Sequence, residues 1–437
     1  MHTLASSTWR LNLKSLLIWA SISTIFLSGL YTRTSWGNFY YSFPLMMVTY
    51  ILLNIKNSGL GIKKEYAVLF LLLLSTSLIC ILLTTPNYDM NLDRVFDTLS
   101  KAIMLMFFIT YYTSIYNLCE KSAKAIFEKY LQVATFFSSI GILQQIIFIT
   151  TNIDIMGTIT GGSKNYGNFL GVAGLSIEPS FYACALLPAA AYYTSEFIRH
   201  FRITPAAIIN IVAILFSTSS LGYLGLFLSA AISYLVGLSL KRFWMLLITI
   251  PLIALASYKT ANLEFFKLRW NDTISVINGG ELTMKHGMNL STYANAVNAS
   301  IALRSVQDNY GAGVGFGMYS SAYDKYIDDY DRPMHRDDIP GRGSAASLFT
   351  RLSAELGVIA WAFLGMFFYW AWFNIRNETL SSISISYLAT LIIILLRMGE
   401  YYANGVILVF LMIYLIRLEL KRKPKQEKFN RSSRITQ

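Results

Sequence analysis

Arg304 and the glycine-rich run that follows it, Gly311-Ala312-Gly313-Val314-Gly315-Phe316-Gly317, are the first residues in this 437-residue chain whose types suggest chemistry. An arginine stays charged and grips phosphate oxygens with a two-pronged fork. Closely spaced glycines let backbone N–H groups approach an anion. The same pattern also suits a surface arginine at a helix end followed by a turn. A nucleotide-binding reading fails, because the segment before the glycines has the period of a helix and not of a strand.

The second group is Leu175-Ser176-Ile177-Glu178-Pro179-Ser180. Proline suits the first position of a helix, and Ser176 or Glu178 can cap it. The helix dipole favours an ionised carboxylate there, so Glu178 is either a structural cap or an acceptor for a substrate hydroxyl. The third group is charge near the ends of apolar segments. Arg94, Asp97 and Lys101 share one helical face, with Lys101 about 9 Å below the membrane surface at 1.5 Å per residue. Arg397 and Glu400 close another apolar segment. Charges at bilayer depth tend to be paired and to line polar cavities, although long side chains also snorkel. The fourth is His335, set among Asp331, Arg332, Arg336, Asp337 and Asp338. Carboxylates there let a histidine titrate near neutral pH and serve as a base, whereas a solvated charged loop is the plainer reading. His286 has no such company.

The elements that must position these groups are apolar. The chain is 54% hydrophobic and only 14% charged, with a mean hydropathy of +0.47; soluble proteins carry about 25% charged residues. This composition predicts an all-α integral membrane protein. Apolar runs of about 20 residues, the length that crosses a bilayer, predict twelve transmembrane helices. They lie near 12–30, 37–54, 66–84, 95–116, 131–150, 179–197, 204–219, 222–240, 243–257, 353–373, 382–399 and 402–417. The first run, Leu13 to Leu30, is too long for a signal core and is expected to be retained as a span.

Short loops after spans two, four, six, eight and ten carry Lys56, Lys63 and Lys64; Lys121, Lys124 and Lys129; Arg199 and Arg202; Lys241 and Arg242; and Arg376. With twelve spans these all fall on one side, together with the basic tail 418–437, and the positive-inside rule makes that side the cytoplasm for both termini. Eight basic and two acidic residues follow from Arg417 onward, whereas 258–350 has nine basic and ten acidic. The net charge of +12 therefore reports topology and contact with anionic lipid, with no nucleic acid as a partner.

The expected organisation is one polytopic domain, 1–437, with residues 258–350 forming one large, partly helical outward loop between helices nine and ten. Within it, Tyr293, Val297, Ile301 and Ala302 recur on one face and predict a helix over Leu290–Val306. No cysteine lies in this loop, so neither a disulfide framework nor a zinc pattern is expected.

Three stretches resemble motifs of the O-antigen polymerase (Wzy) family, within the O-antigen ligase and polymerase superfamily. They are Gly174-Leu175-Ser176-Ile177-Glu178-Pro179-Ser180, the Arg304-x10-Gly315 spacing, and Ser344-Ala345-Ala346-Ser347-Leu348-Phe349 leading to Glu355-Leu356-Gly357. The layout, with one large periplasmic loop before the last spans, is similar too. The resemblance implies inverting glycosyl transfer at the periplasmic face of the bacterial inner membrane, with no metal and no cofactor. The donor is a glycan on undecaprenyl diphosphate, the acceptor is a sugar hydroxyl of another lipid-linked repeat unit, and a chain-length regulator protein is a further expected partner. Arg304 and Gly315 match the family pattern and take the diphosphate role first. Arg397, Lys101, Arg94 and Glu400 join on position and charge, and the base is Glu178 or His335. A second Arg-x10-Gly motif, present in some members, is missing: 151–177 has Lys164 as its sole cation and no glycine at the matching distance. An O-antigen ligase is the alternative within the same chemistry. A flippase for lipid-linked glycans is the alternative outside it, and would favour charge at the bilayer midplane and repeat symmetry.

Overall fold

The structure is a computed structural model that describes residues 13–34, 37–54, 64–84, 88, 92–237, 271, 274, 290–331, 339–403 and 405–435. It is 77% helical with almost no sheet. The first half contains α1 (Leu13–Ser23), α2 (Ser42–Asn54), α3 (Lys64–Thr84), α4 (Leu92–Leu118), α5 (Ala123–Thr151), the short α6 (Ile155–Thr160), α7 (Pro179–His200), α8 (Pro205–Phe216) and α9 (Ser220–Val236). The second half contains α10 (Leu290–Asp308), α11 (Tyr319–Tyr326), α12 (Leu348–Leu356), α13 (Val358–Ile375), α14 (Ser381–Arg397) and α15 (Val406–Ile435). Two small antiparallel hairpins, Tyr31–Thr34 with Gly37–Tyr40 and Lys164–Asn165 with Leu170–Gly171, and two 3-10 turns, Thr24–Phe26 and Ile327–Asp329, complete the described elements.

Helices occupy every predicted apolar segment except 243–257, which lies outside the described residues. Four of them, α3, α4 from Arg94 onward, α5 and α13, are long and apolar enough to cross a membrane. Five further apolar helices, Pro205–Phe216 and Ser220–Val236 among them, are shorter. At 1.5 Å per residue a helix of 12 to 17 residues reaches only about 18–26 Å, short of a hydrocarbon core about 30 Å thick. The predicted break at Ser217–Ser220 is present, with Thr218 in the left-handed region. Span ten differs from expectation. Its first residues belong to a separate helix, α12, and the chain turns at Gly357 before α13 begins.

Helices α7 and α14 form the centre of the bundle and run antiparallel. Both are rich in small buried residues: Ala183, Ala185, Ala189, Ala190 and Ala191 on α7, and Ser382, Ser384 and Ser386 on α14. Small side chains let helix backbones approach closely where lipid supplies no hydrophobic drive. The serine hydroxyls cost little inside because they bond back to their own helix, Ser384 to the Leu380 carbonyl at 2.9 Å and Ser386 to that of Ile383 at 2.8 Å. By contrast, α3 turns Leu71, Leu72, Leu82 and Leu83 outward, each more than half exposed. That face is suited to lipid.

The described residues of 290–331 and 339–350 build a second core, which Tyr88 and Ala354 join. Tyr293, Val297, Ile301 and Ala302, the face predicted for α10, pack with Val314, Tyr319, Tyr323, Tyr326 and Ile339. Hydroxyl tips of this tyrosine core find partners, as buried phenols require: Tyr293 donates to the Asp331 carbonyl at 2.7 Å, Tyr326 to Asp308 at 2.7 Å and Tyr319 to Asn298 at 2.6 Å.

Candidate functional site

The glycine run is threaded between the bundle and α12. Val314 and Gly315 donate their N–H groups to the Ala354 and Glu355 carbonyls, each at 2.9 Å. Those carbonyls belong to the last turn of α12, where no intrahelical donor exists. In return Val358 N–H reaches the Gly311 carbonyl at 3.0 Å. Gly313 must lack a side chain, since a Cβ there would run into the main chain of Glu355. Gly315 sits at φ +106°, a conformation that L side chains rarely adopt, with Ile81 of α3 against it.

Helices α3 and α4 hold the other side. Arg94 donates to the Val314 carbonyl at 3.0 Å and Thr98 to that of Phe316 at 2.9 Å. Lys101 donates to the Gly317 carbonyl, and Ser77 accepts from Phe316 N–H at 3.2 Å. Arg94 and Lys101, two of the predicted substrate-binding cations, are thus engaged in holding irregular backbone. Lys101 also lies 3.8 Å from Asp97 and keeps 30% of its side chain exposed.

At the centre is Glu355, fully buried on α12. Its carboxylate accepts from Gly317 N–H at 2.7 Å, Tyr319 N–H at 3.3 Å, Arg351 Nε at 3.0 Å and the Tyr401 hydroxyl. Arg351, one helical turn earlier, reaches the Gly399 carbonyl at 2.8 Å and stacks 4.2 Å from the Tyr401 ring centroid. Burial pushes the Arg351 guanidinium down, but the Glu355 charge more than offsets it and leaves the pKa raised. Burial, then the same carboxylate, pushes the Tyr401 phenol well up, so it remains a donor. Sequence reasoning missed Arg351 and gave Glu355 no role of its own. The signal was an Arg and a Glu at i and i+4 in apolar surroundings, divided by the expected start of a span at residue 353.

A half-buried group of polar side chains lies at this same end of the bundle. Glu178 occupies the N-cap position of α7 with Pro179 next, as the sequence suggests. Its side chain makes no capping bond and instead accepts from the Ser180 hydroxyl. The preceding stretch is pinned by Gly29 N–H to the Leu175 carbonyl at 2.9 Å and by Gly174 N–H to the Gln144 side chain at 3.1 Å. Ser176 is buried, and its hydroxyl has no partner among the described residues. Arg397 ends the antiparallel neighbour α14, so it lies at the same end as Glu178, and the Cys184 thiol is within electrostatic reach of both. Arg397 donates to Asn295 of α10 at 2.8 Å. Glu400 accepts from Tyr40 at 3.2 Å, and Tyr402 donates to the Lys101 carbonyl at 2.6 Å.

Arg304 stands apart. It pairs with Asp329 at 2.7 Å on the surface, with 42% of its side chain exposed, and lies 5.0 Å from the Tyr326 ring. The Asp329 hydrogen bond raises its pKa further. Nine residues separate it from Asn295, which is half a turn round α10 and about 13 Å along it. One diphosphate therefore does not bridge Arg304 and Arg397 in this arrangement. His335 and His286 lie outside the described residues. Among the described residues, no three His, Cys, Asp or Glu side chains gather as metal ligands.

No family model and no curated protein matches this chain. The reading of the site therefore rests on its residues and their geometry.

Two outcomes follow for the buried clasp. Gly313→Ala should cost about 1–3 kcal/mol, as forcing a methyl into a packed site does, read as a lower thermal unfolding midpoint of the detergent-purified chain. Gly343→Ala, where a Cβ meets nothing within 4 Å, should leave that midpoint unchanged. Glu355→Gln should cost about 3–5 kcal/mol because it leaves Arg351 buried without its counter-charge. A midpoint equal to that of the unaltered chain would show that the pair does not hold the segment.

Proposed function

We propose that this chain is a membrane glycosyltransferase using a polyprenyl-diphosphate-linked donor, specifically an O-antigen repeat-unit polymerase. In this reading twelve spans place both termini in the cytoplasm, and residues 258–350 cover the site at the periplasmic face of the inner membrane. The observation that supports the reading is that Glu178 and Arg397, both half-buried, lie at one end of the antiparallel helices α7 and α14. A carboxylate whose described partner is the Ser180 hydroxyl lies at the same end as a guanidinium whose described partner is one neutral amide.

Such a pair meets the two needs of inverting transfer. Glu178 takes the proton of the acceptor hydroxyl as its oxygen bonds to the anomeric carbon from the face opposite the leaving group. The bond from that carbon to the diphosphate oxygen breaks, and its electron pair leaves with undecaprenyl diphosphate. Arg397 stabilises the charge that develops there. Lys101 and Arg94 act as positioning residues, because their cationic groups hold the backbone of 314–317. Arg304 takes a secondary place. Its exposed pair with Asp329 is of a kind that contributes only about 0–1 kcal/mol, so exchange for a phosphate oxygen is easy. His335 is the second candidate base.

Deleting the gene and running lipopolysaccharide on a gel tests the class. Loss of the ladder with one repeat unit still on core is the expected pattern. Bare core would replace polymerisation by ligation, and an unchanged ladder would remove both. In complementation, Glu178→Gln should lower chain growth by about 10²-fold or more at normal protein levels, the usual worth of a general base. Arg397→Ala should do likewise. If Glu178→Gln restores the full ladder and His335→Ala does not, the base is His335.

A further inference from the structure

Helices α13 and α15 meet again at the end of the bundle away from the glycine run, and two arginines there share one aromatic ring. The Arg417 guanidinium carbon lies 3.9 Å from the Phe373 ring centroid, and that of Arg376 lies 6.0 Å from it. Together these distances hold the two cations within about 10 Å of each other. Neither forms an ion pair among the described residues, and the buried Arg417 Nε has no acceptor there. The C-terminus of α13 favours one cation, Arg376. It does not account for the second, which comes from well inside α15. The surroundings are those of a lipid interface: Tyr369, Trp372 and Phe373 are 61%, 47% and 37% exposed at the end of a membrane-length helix.

We propose that Arg376 and Arg417, set about the Phe373 ring, form a binding site for the phosphate of an anionic phospholipid headgroup. Two guanidinium forks suit a tetrahedral phosphate, and the exposed aromatic side chains meet its glycerol and upper acyl region. The site is remote from Glu178 and Arg397 and does not depend on glycosyl transfer.

The test places the purified full chain in phosphatidylcholine vesicles containing either brominated phosphatidylglycerol or brominated phosphatidylcholine. Tryptophan quenching then gives the relative affinity for the anionic lipid. The unaltered chain should prefer phosphatidylglycerol, and Arg376→Gln and Arg417→Gln should each reduce that preference about fivefold, the usual contribution of one cation at an anionic surface. Arg417→Lys keeps the charge and should retain part of the preference, which gives a reading if the neutral variant fails to fold. Lys421→Gln should change it little. No preference in the unaltered chain overturns the proposal, as do equal losses from all three neutral variants, which indicate a diffuse basic surface. Excess inorganic phosphate should leave the preference intact; abolition by it would make this a free-phosphate site and overturn the headgroup assignment.

Discussion

Backbone that is buried without regular structure must have each of its polar groups answered, since an orphaned N–H or carbonyl inside a protein costs as much as a lost hydrogen bond. The run from Gly311 to Gly317 meets this constraint completely enough to organise what surrounds it. Its N–H groups go to the end of α12, to Ser77 and to Glu355, and its carbonyls go to Val358, Arg94, Thr98 and Lys101. Glu355 is the one carboxylate that can sit there fully buried, because Arg351 answers its charge and three further donors answer its lone pairs. The segment 398–402 is tied into the same knot through Gly399 and Tyr401. Arg397 and Glu400 take their places from that attachment.

The division of labour among the charges follows. A cation bonded to main-chain carbonyls under a glycine segment is committed to architecture, which describes Arg94 and largely Lys101. The charges at the half-buried mouths of α7 and α14 bond instead to side chains, Glu178 to Ser180 and Arg397 to Asn295. Sequence position alone does not separate these two kinds, since Arg94, Lys101 and Arg397 all stand at ends of apolar segments.

Much of the fold was legible because it is local. The stripe of Tyr293, Val297, Ile301 and Ala302 gives α10, Pro179 gives the start of α7, and the serine cluster at 217–220 gives the break between α8 and α9. Helix lengths were less legible, because apolar composition continues through turns that stop a helix, as at Gly357. The glycine spacing marks a close backbone approach, but the partner, the last turn of α12, lies 38 residues on from Gly317, and no local pattern encodes that pairing. The same limit hid the Arg351–Glu355 pair, whose importance comes from what is folded over it. The Arg304-x10-Gly315 motif is continuous in sequence yet its ends face different tasks, one at the solvent and one against Ile81.

The bond between Arg397 and Asn295 joins the bundle to the helix that covers it. An anion that occupies Arg397 competes with that amide for the same N–H groups. Occupancy of the site and attachment of α10 are therefore opposed in free energy, and by reciprocity a perturbation that loosens α10 strengthens anion binding. If the proposed site takes its diphosphate at Arg397, the ligand and the Asn295 amide of α10 would compete for one guanidinium.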